Sequence, residues 1–327
     1  DRLQRKRLAR VTLDFDGAVQ STKGLIEGTA VGFNRKKKGA RSYWPLYCTV
    51  AQFSSFLDML HRPGNVNDSK GAKEFMQACV RRVRDAAAWK PIIESRLDGA
   101  FFGREMLAAL LDEGVSFTCS TPFERLAALK TVVEATTAWR RINSRWSSAE
   151  TGYLPKSWRN DPRLDGKVRF VLYRQEVRRR RKQVVPGPRQ LGLFRPVSTD
   201  YDYKVIVTNR IAENAATVLF FHHGRGSQEK TFGEANQHAS LGVIATRGLH
   251  GNQMLTLAAM APAWAPASSM ASSSASLIAG IIGEAKTITG TPASVSRRIA
   301  RNRACGEAAR GSRMRLSAGS SVVSEIA

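Results

Sequence analysis

An early stretch of the chain alternates apolar and polar side chains. In residues 10–19, RVTLDFDGAV, every second position from Val11 to Phe15 is apolar, and Asp14 and Asp16 fall on the alternate positions. Successive side chains of a β-strand point to opposite faces, so the pattern predicts a strand with an apolar face and two carboxylates on the other. Such carboxylates repel each other and are costly to bury without a cation or hydrogen-bond donors. The stretch alone fits either a solvated edge strand or a functional site.

The following residues predict a sheet and then an alternation of helices and strands. Gly- and Lys-rich turns join the first strands into a meander. Pro63 and Gly64 end the third predicted strand, and apolar residues then recur at helical spacing. Strands are predicted at 10–18, about 29–33, 46–62 with a break, 90–101 and 115–120, and helices at 70–87, 103–113 and 122–135. The alternation indicates an α/β fold.

Residues 136–200 break this alternation and are interpreted as a β-rich insertion. Trp139, Trp146 and Trp158 lie among polar and turn residues, where we expect core packing, with stacking on DNA bases as the alternative. A strand at 201–210 and a helix that resumes at Gln228 follow. The predicted organisation is an α/β core in two parts, 1–135 and 201–261, with the insertion 136–200 between them and a tail, 262–327.

The tail differs in composition from the rest. From Pro266 to Ala327 there is no aromatic residue, Asp, His or Gln, and Ala, Ser, Gly and Arg dominate. We expect either a disordered basic tail or the product of a shifted reading frame. The chain also begins without Met close to its first strand, and we expect an upstream region to be missing.

The charge of the chain points to a polyanionic partner. Lys and Arg number 51 against 27 Asp and Glu, a net charge of +24. Nucleic acid is the first candidate partner, and an anionic membrane surface is the second. Three basic runs, 34–39, 177–182 and 297–303, are candidate phosphate contacts. From these runs we select Lys36, Lys37, Lys38, Arg178, Arg179, Arg180 and Arg181.

Other features exclude further classes. No apolar run is long enough to cross a bilayer, and residues 1–10 lack the apolar segment of a signal peptide. The four cysteines lie far apart, without the close pairs of a zinc site, and we interpret them as reduced and structural.

Three acids form a candidate metal site. Asp98, in SRLDGAF, ends a predicted strand as Asp16 does, and ligands of open α/β sheets bind at the carboxyl ends of strands. Glu229 follows FFHHGRGSQ, and Arg225, four residues earlier, can share its helix face. Two Asp and one Glu can hold two Mg²⁺ ions for phosphoryl transfer, although each acid taken singly is more simply structural.

The order TLDFDGAV, GFNRKKKGARSYWPLY, RPGNVNDS, SRLDGAFF and HHGRGSQEKTFGEAN resembles the DDE transposases of bacterial insertion sequences, over roughly residues 10–260. The resemblance implies an RNase H-like mixed sheet flanked by helices, with a β-rich insertion before the Glu-bearing helix. It implies Asp16, Asp98 and Glu229 as catalytic acids holding two Mg²⁺ or Mn²⁺ ions, with Asp14 as a neighbour. It also implies DNA end cleavage and strand transfer by a homodimer on terminal repeats and target DNA, in the bacterial cytoplasm at the nucleoid.

The chain departs from the family pattern at two positions. It keeps Arg225 and Glu229 but has His222 for the family Tyr and Asn236 for the family Lys, which leaves Arg225 and Lys230 as candidate DNA contacts. Because Mg²⁺ prefers oxygen, we interpret His222 and the following His as helix-end or phosphate-facing residues. Two alternatives stay open: an inactive remnant that only binds DNA, and a basic structural nucleic-acid-binding protein.

Overall fold

The structure of the chain is a computed structural model, which describes residues 5–32, 34, 37–67, 69–177 and 201–261. The strands are β1 Arg10–Gly17, β2 Gln20–Thr22, β3 Ala30–Val31, β4 Arg41–Tyr43, β5 Leu46–Val50, β6 Ser55–Leu60, β7 Ile92–Leu97, β8 Ser116–Thr121, β9 Arg140–Arg141, β10 Trp146–Thr151, β11 Arg169–Glu176 and β12 Tyr201–Thr208. The helices are α1 Ala72–Ala86, α2 Arg104–Asp112, α3 Ala127–Ala135, α4 Ala215–His223, α5 Ser227–Ala239 and α6 Leu249–Met260.

A mixed sheet organises the described residues. Its nine strands run in the order β6-β5-β1-β7-β8-β12-β11-β10-β9. Strand β7 lies parallel to both β1 and β8, whereas β5 and β6 form an antiparallel hairpin beside β1. Parallel neighbours need a crossover, and α1 and α2 lie in the segments that supply them. The predicted α/β fold, a mixed sheet flanked by helices, is confirmed.

The apolar face of β1 builds the main core. Val11, Leu13 and Phe15 are fully buried and share one hydrophobic cluster with α1 and α2. The ring of Phe15 meets that of Phe75 in α1 edge to face, with centroids 6.0 Å apart. The polar face of the same strand contacts α4 through Arg96, which pairs with the Asp14 carboxylate and donates to the Phe221 carbonyl. Gln228 of α5 donates to the Asp14 carbonyl. The alternation in the sequence therefore places the apolar side chains of β1 in the main core and its polar side chains on the opposite face of the sheet.

The predicted meander of three strands was incomplete. Strands β2 and β4 were not predicted. In a second sheet, of order β2-β4-β3, the central strand β4 pairs with both β2 and β3. These strands have two or three residues each, too few for an alternating pattern to show. Helix α6 was also missed, because its buried face carries the polar residues Asn252 and Thr256.

The β-rich segment extends the sheet beyond β12. Strand β11 pairs antiparallel with β12, and β10 pairs with β11. Trp158 is buried against Phe102 and Phe170, with ring centroids 5.3 and 5.7 Å away, so core packing is confirmed for this tryptophan. The domain boundaries stay predictions. Lys36, Arg178 to Arg181 and the tail 262–327 lie outside the described residues.

Two further observations concern the chemical class of the protein. Cys48, Cys79 and Cys119 are free and buried, as expected for structural thiols, and Cys305 lies outside the described residues. No helix in the described part of the chain combines the length and the apolar character needed to cross a membrane.

Candidate active site

Strands β1 and β7 bring two acids to one edge of the sheet. In their parallel register Thr12 faces Glu94 and Asp14 faces Arg96. The next step of this alternation reaches Asp16 on β1 and Asp98, the residue after β7. Because the strands are parallel, both acids emerge at the same edge, as predicted from their positions at strand ends.

Each of these acids is fixed by a local backbone contact. Asp16 Oδ1 accepts a hydrogen bond of 2.9 Å from the Gly17 amide. Asp98 caps the 3₁₀ turn that follows β7, and its Oδ1 accepts from the Ala100 amide at 2.9 Å. The outer oxygen, Oδ2, of each carboxylate faces Arg225.

Arg225 joins the two carboxylates. It lies in the 3₁₀ turn Gly224–Gly226 between α4 and α5. Its Nη2 is 3.2 Å from Asp16 Oδ2 and 3.4 Å from Asp98 Oδ2. The side chains of both acids are about one third exposed, at 36% and 35%, so solvent reaches them. The two acids thus share one cation at a solvent-accessible position.

Glu229 lies in the first turn of α5 and lines a small cavity together with Asp16. The cavity has a volume of about 160 Å³ and is lined by Asp16, Ser120, Lys204, His222, His223, Arg225, Gly226, Gln228 and Glu229. Asp98 contacts Arg225, one of the residues that line the cavity. Within the described ranges, no three His, Cys, Asp or Glu side chains lie close enough together to hold a metal ion. Asp16 and Asp98 therefore share Arg225, and Asp16 and Glu229 line one cavity, but Asp98 is not among the residues that line it.

Asp14 has a different environment from Asp16. Its side chain is buried and accepts two hydrogen bonds from Arg96, from Nε to Oδ1 at 2.7 Å and from Nη2 to Oδ2 at 2.6 Å. Burial raises the pKa of Asp14 above its ordinary value of 3.8, while the hydrogen bonds and charge of Arg96 act to lower it. Both oxygens of Asp14 are therefore engaged by a structural ion pair.

The same ion pair connects the strands to the helices above them. Arg96 Nη1 donates to the Phe221 carbonyl at 3.4 Å, and Gln228 Nε2 donates to the Asp14 carbonyl at 3.1 Å. A Cβ at Gly224 would lie 2.0 Å from Arg96 Nη1, so only glycine fits against the guanidinium. These contacts position the turn that carries Arg225 and the first turn of α5. Arg96 and Gln228 were not identified from the sequence.

His222 is buried beneath the cavity. It is 3% exposed, its Nδ1 is 3.0 Å from Thr118 Oγ1, and its Nε2 is 2.9 Å from Ser120 Oγ. Burial, reinforced by the positive charge of Lys204, holds the pKa of His222 well below its ordinary value of 6.5. The helix-end interpretation is confirmed, because His222 lies in the last turn of α4. A phosphate-facing role does not fit a histidine buried between two hydroxyl groups.

These histidines predict a loss of stability in mild acid. Below pH 6.5 the unfolded chain protonates His222 and the folded chain does not, so acid favours the unfolded state. The same sign holds for His61, whose pKa burial lowers to about 4. Between pH 6 and 5 His222 should remove about 1.4 kcal/mol of unfolding free energy per pH unit, and the less buried His61 should remove less, because solvent screens it. Urea unfolding of the His61→Gln and His222→Gln variants measures this, and each slope should flatten. Parent-like slopes in both variants would contradict the assignment.

The remaining predicted DNA contacts lie on the surface. Lys37 and Lys38 are exposed. The side chain of Lys230 is 80% exposed, and its Nζ lies 3.8 Å from Glu234 Oε1 on the same helix. Asn236, at the position of the family Lys, is exposed on α5. None of these side chains lines the cavity between Asp16 and Glu229.

Comparison with known proteins identifies the family. A family model described as "Transposase DDE domain group 1" matches residues 2–265, and the chain therefore belongs to this DDE transposase family. The predicted resemblance is confirmed. No curated protein matches the chain in sequence.

One similar solved structure is a synaptic complex of a piggyBac transposase with hairpin DNA. Its TM-score is 0.45 with 11% sequence identity, covering 77% of this chain and 45% of that chain. This chain thus spans less than half the length of that transposase chain.

Proposed function

We propose that this protein is an active DNA transposase, which cleaves DNA at the ends of its element and joins the freed 3′-OH to a target phosphodiester. Membership of the DDE transposase family supports the class of enzyme. The observation that carries the proposal is the shared cation of Asp16 and Asp98, two acids from neighbouring strands, beside a cavity lined by Glu229. We assign these three acids as the catalytic residues.

The donor set suits hard divalent cations. Asp16, Asp98 and Glu229 offer only carboxylate oxygens, the ligands that Mg²⁺ and Mn²⁺ prefer. The first two already face one positive group, the Arg225 guanidinium, so a cation fits this position in charge. A pair of bound ions would activate the attacking oxygen and stabilise the leaving oxygen in phosphoryl transfer. The three acids would hold the ions.

Positive side chains around the cavity would bind DNA phosphate groups. Lys204 and Arg225 line the cavity beside the acids and can attract a phosphate group to them. Lys37, Lys38 and Lys230 are exposed and available for the flanking backbone. A net charge of +24 supports a large nucleic-acid partner. We extend the proposal to a homodimer that holds two element ends, in the bacterial cytoplasm at the nucleoid.

One residue favours a second candidate function. Asn236 replaces the family Lys on the exposed face of α5, which removes a positive charge expected at DNA phosphate. A chain that keeps the basic surface but lacks this contact would be a DNA-binding remnant. The third reading, a structural nucleic-acid-binding protein, gives no reason for carboxylates that converge at a strand edge.

Strand joining in vitro tests the proposal. The substrates are a duplex with the element's own end and a free 3′-OH, and a supercoiled plasmid as target. We expect joined products with Mg²⁺ or Mn²⁺ and none with EDTA. Joining only after the Asn236→Lys substitution would identify a decayed transposase. No joining by either folded, DNA-binding chain would contradict the enzymatic function.

A further inference from the structure

Arg225 holds the two catalytic aspartates far less tightly than Arg96 holds Asp14. Arg225 uses one nitrogen, Nη2, for both carboxylates, at 3.2 and 3.4 Å. Charge-assisted hydrogen bonds are usually about 2.7–2.9 Å long. Arg96 instead uses two nitrogens on one carboxylate, at 2.7 and 2.6 Å. The contrast separates a permanent ion pair from a loose one.

The surroundings of Arg225 also favour its release. Its side chain is 24% exposed, against 8% for Arg96. Its Nε is buried without a hydrogen-bond partner among the described residues, so the observed position leaves one donor unsatisfied. A guanidinium that moved out to a phosphate group could bind two of its oxygens at once. The hydrogen bonds from Arg225 to a nearby phosphate can therefore compensate for its lost contacts with the two aspartates.

We infer that Arg225 is an exchangeable internal counter-ion, which occupies the place of a divalent cation in the free protein and moves to a DNA phosphate when DNA binds. The inference rests on the proposed function, since it assumes that Asp16 and Asp98 hold metal. Once Arg225 leaves, the two carboxylates lose their counter-charge and attract a divalent ion more strongly. Arg225 is thus a positioning residue that couples DNA binding to metal binding.

Thermodynamic linkage makes the coupling reciprocal. If DNA raises the affinity for the metal by some factor, the metal raises the affinity for DNA by the same factor. A guanidinium in direct contact with both carboxylates is close enough for an effect on the order of tenfold after solvent screening. The free protein would then bind the metal weakly. The metal would enter the site mainly when DNA is bound.

Titration of the full chain with Mn²⁺, with and without duplex DNA, tests the inference. For the parent chain we expect DNA to lower the Kd for Mn²⁺ by about tenfold. Arg225→Gln should bind Mn²⁺ about tenfold more tightly without DNA, and DNA should then add little. Arg225→Lys keeps the charge and should retain most of the coupling. Lys73→Gln removes an equal charge from α1, which packs on the apolar face of β1 away from the acids, and should behave as the parent chain does.

The possible failures are distinguishable. Arg225→Gln that binds Mn²⁺ no more tightly, and still responds to DNA as the parent chain does, overturns the inference. Asp16→Asn with unchanged Mn²⁺ affinity shows instead that the proposed metal site is wrong. If Arg225→Gln does not fold, Arg225→Met provides the second variant. An increase in affinity no larger than that of Lys73→Gln would mean that only net charge matters, and would also overturn the inference.

Discussion

Replacing Asp14 with Ala should lower the free energy of unfolding by about 3–5 kcal/mol, because it leaves the Arg96 guanidinium buried without its counter-charge. The side chains of Asp14 and Arg96 are only 1% and 8% exposed, so water cannot take the place of the carboxylate. The loss should also loosen α4, because Arg96, freed from Asp14, is the side chain that donates to the Phe221 carbonyl of that helix. Urea unfolding measures the change.

Two controls isolate the buried charge. The double variant Asp14→Leu with Arg96→Met removes both charges and should recover much of the lost stability, as apolar replacements of buried ion pairs often do. Lys130→Ala breaks a partly exposed pair, in which Nζ lies 3.7 Å from Glu134 Oε1, and should cost less than about 1 kcal/mol. A cost for Asp14→Ala no larger than that of Lys130→Ala would show that the pair is not structural.

The second large effect concerns catalysis. Asp16→Asn, Asp98→Asn and Glu229→Gln each keep the shape of the side chain and remove one negative charge. We expect each to reduce the rate of strand joining by roughly a thousandfold or more, because the substituted site binds metal poorly. Folding should persist, since in Asp98→Asn the amide oxygen of the new side chain can still accept from the Ala100 amide as the aspartate does.

A matched control lies on the same helix. Glu234 is exposed on α5 and pairs with Lys230, away from the cavity. Glu234→Gln should therefore join DNA at the parent rate and bind it with parent affinity. If Glu229→Gln joined DNA as well as Glu234→Gln does, Glu229 would not be the third catalytic acid.

The sheet was predictable where its signals are local. Alternation marked β1, and an apolar run that ends in Asp98 marked β7, because both strands bury one face in a large core. Helix α6 escaped prediction, since Asn252 is buried and satisfied by the backbone at Thr246 and Gly248. When buried positions of a helix are polar, the sequence shows no regular spacing of apolar residues from which the helix could be predicted.

The roles of Asp14 and Asp16 could not be separated from the sequence alone. The partner that makes Asp14 structural, Arg96, is 82 residues away along the chain. The sequence does contain a signal for this pairing. Asp14 and Asp16 are two residues apart, as are Arg96 and Asp98, so in two parallel strands in register Asp14 lies beside Arg96 and Asp16 beside Asp98. The pairing of Arg225 with the acids had no such signal. It depends on the turn between α4 and α5, whose direction only the fold determines.

A double-mutant cycle on Mn²⁺ affinity tests most directly whether Asp16, Asp98 and Glu229 form one metal site. The Kd for Mn²⁺, with duplex DNA present, is measured for the parent chain, Asp16→Asn, Glu229→Gln and the double variant. If both acids hold the same pair of ions, each single substitution weakens binding and the double variant deviates from the sum of the two effects. Purely additive effects, or parent affinity in Glu229→Gln, would contradict a shared site.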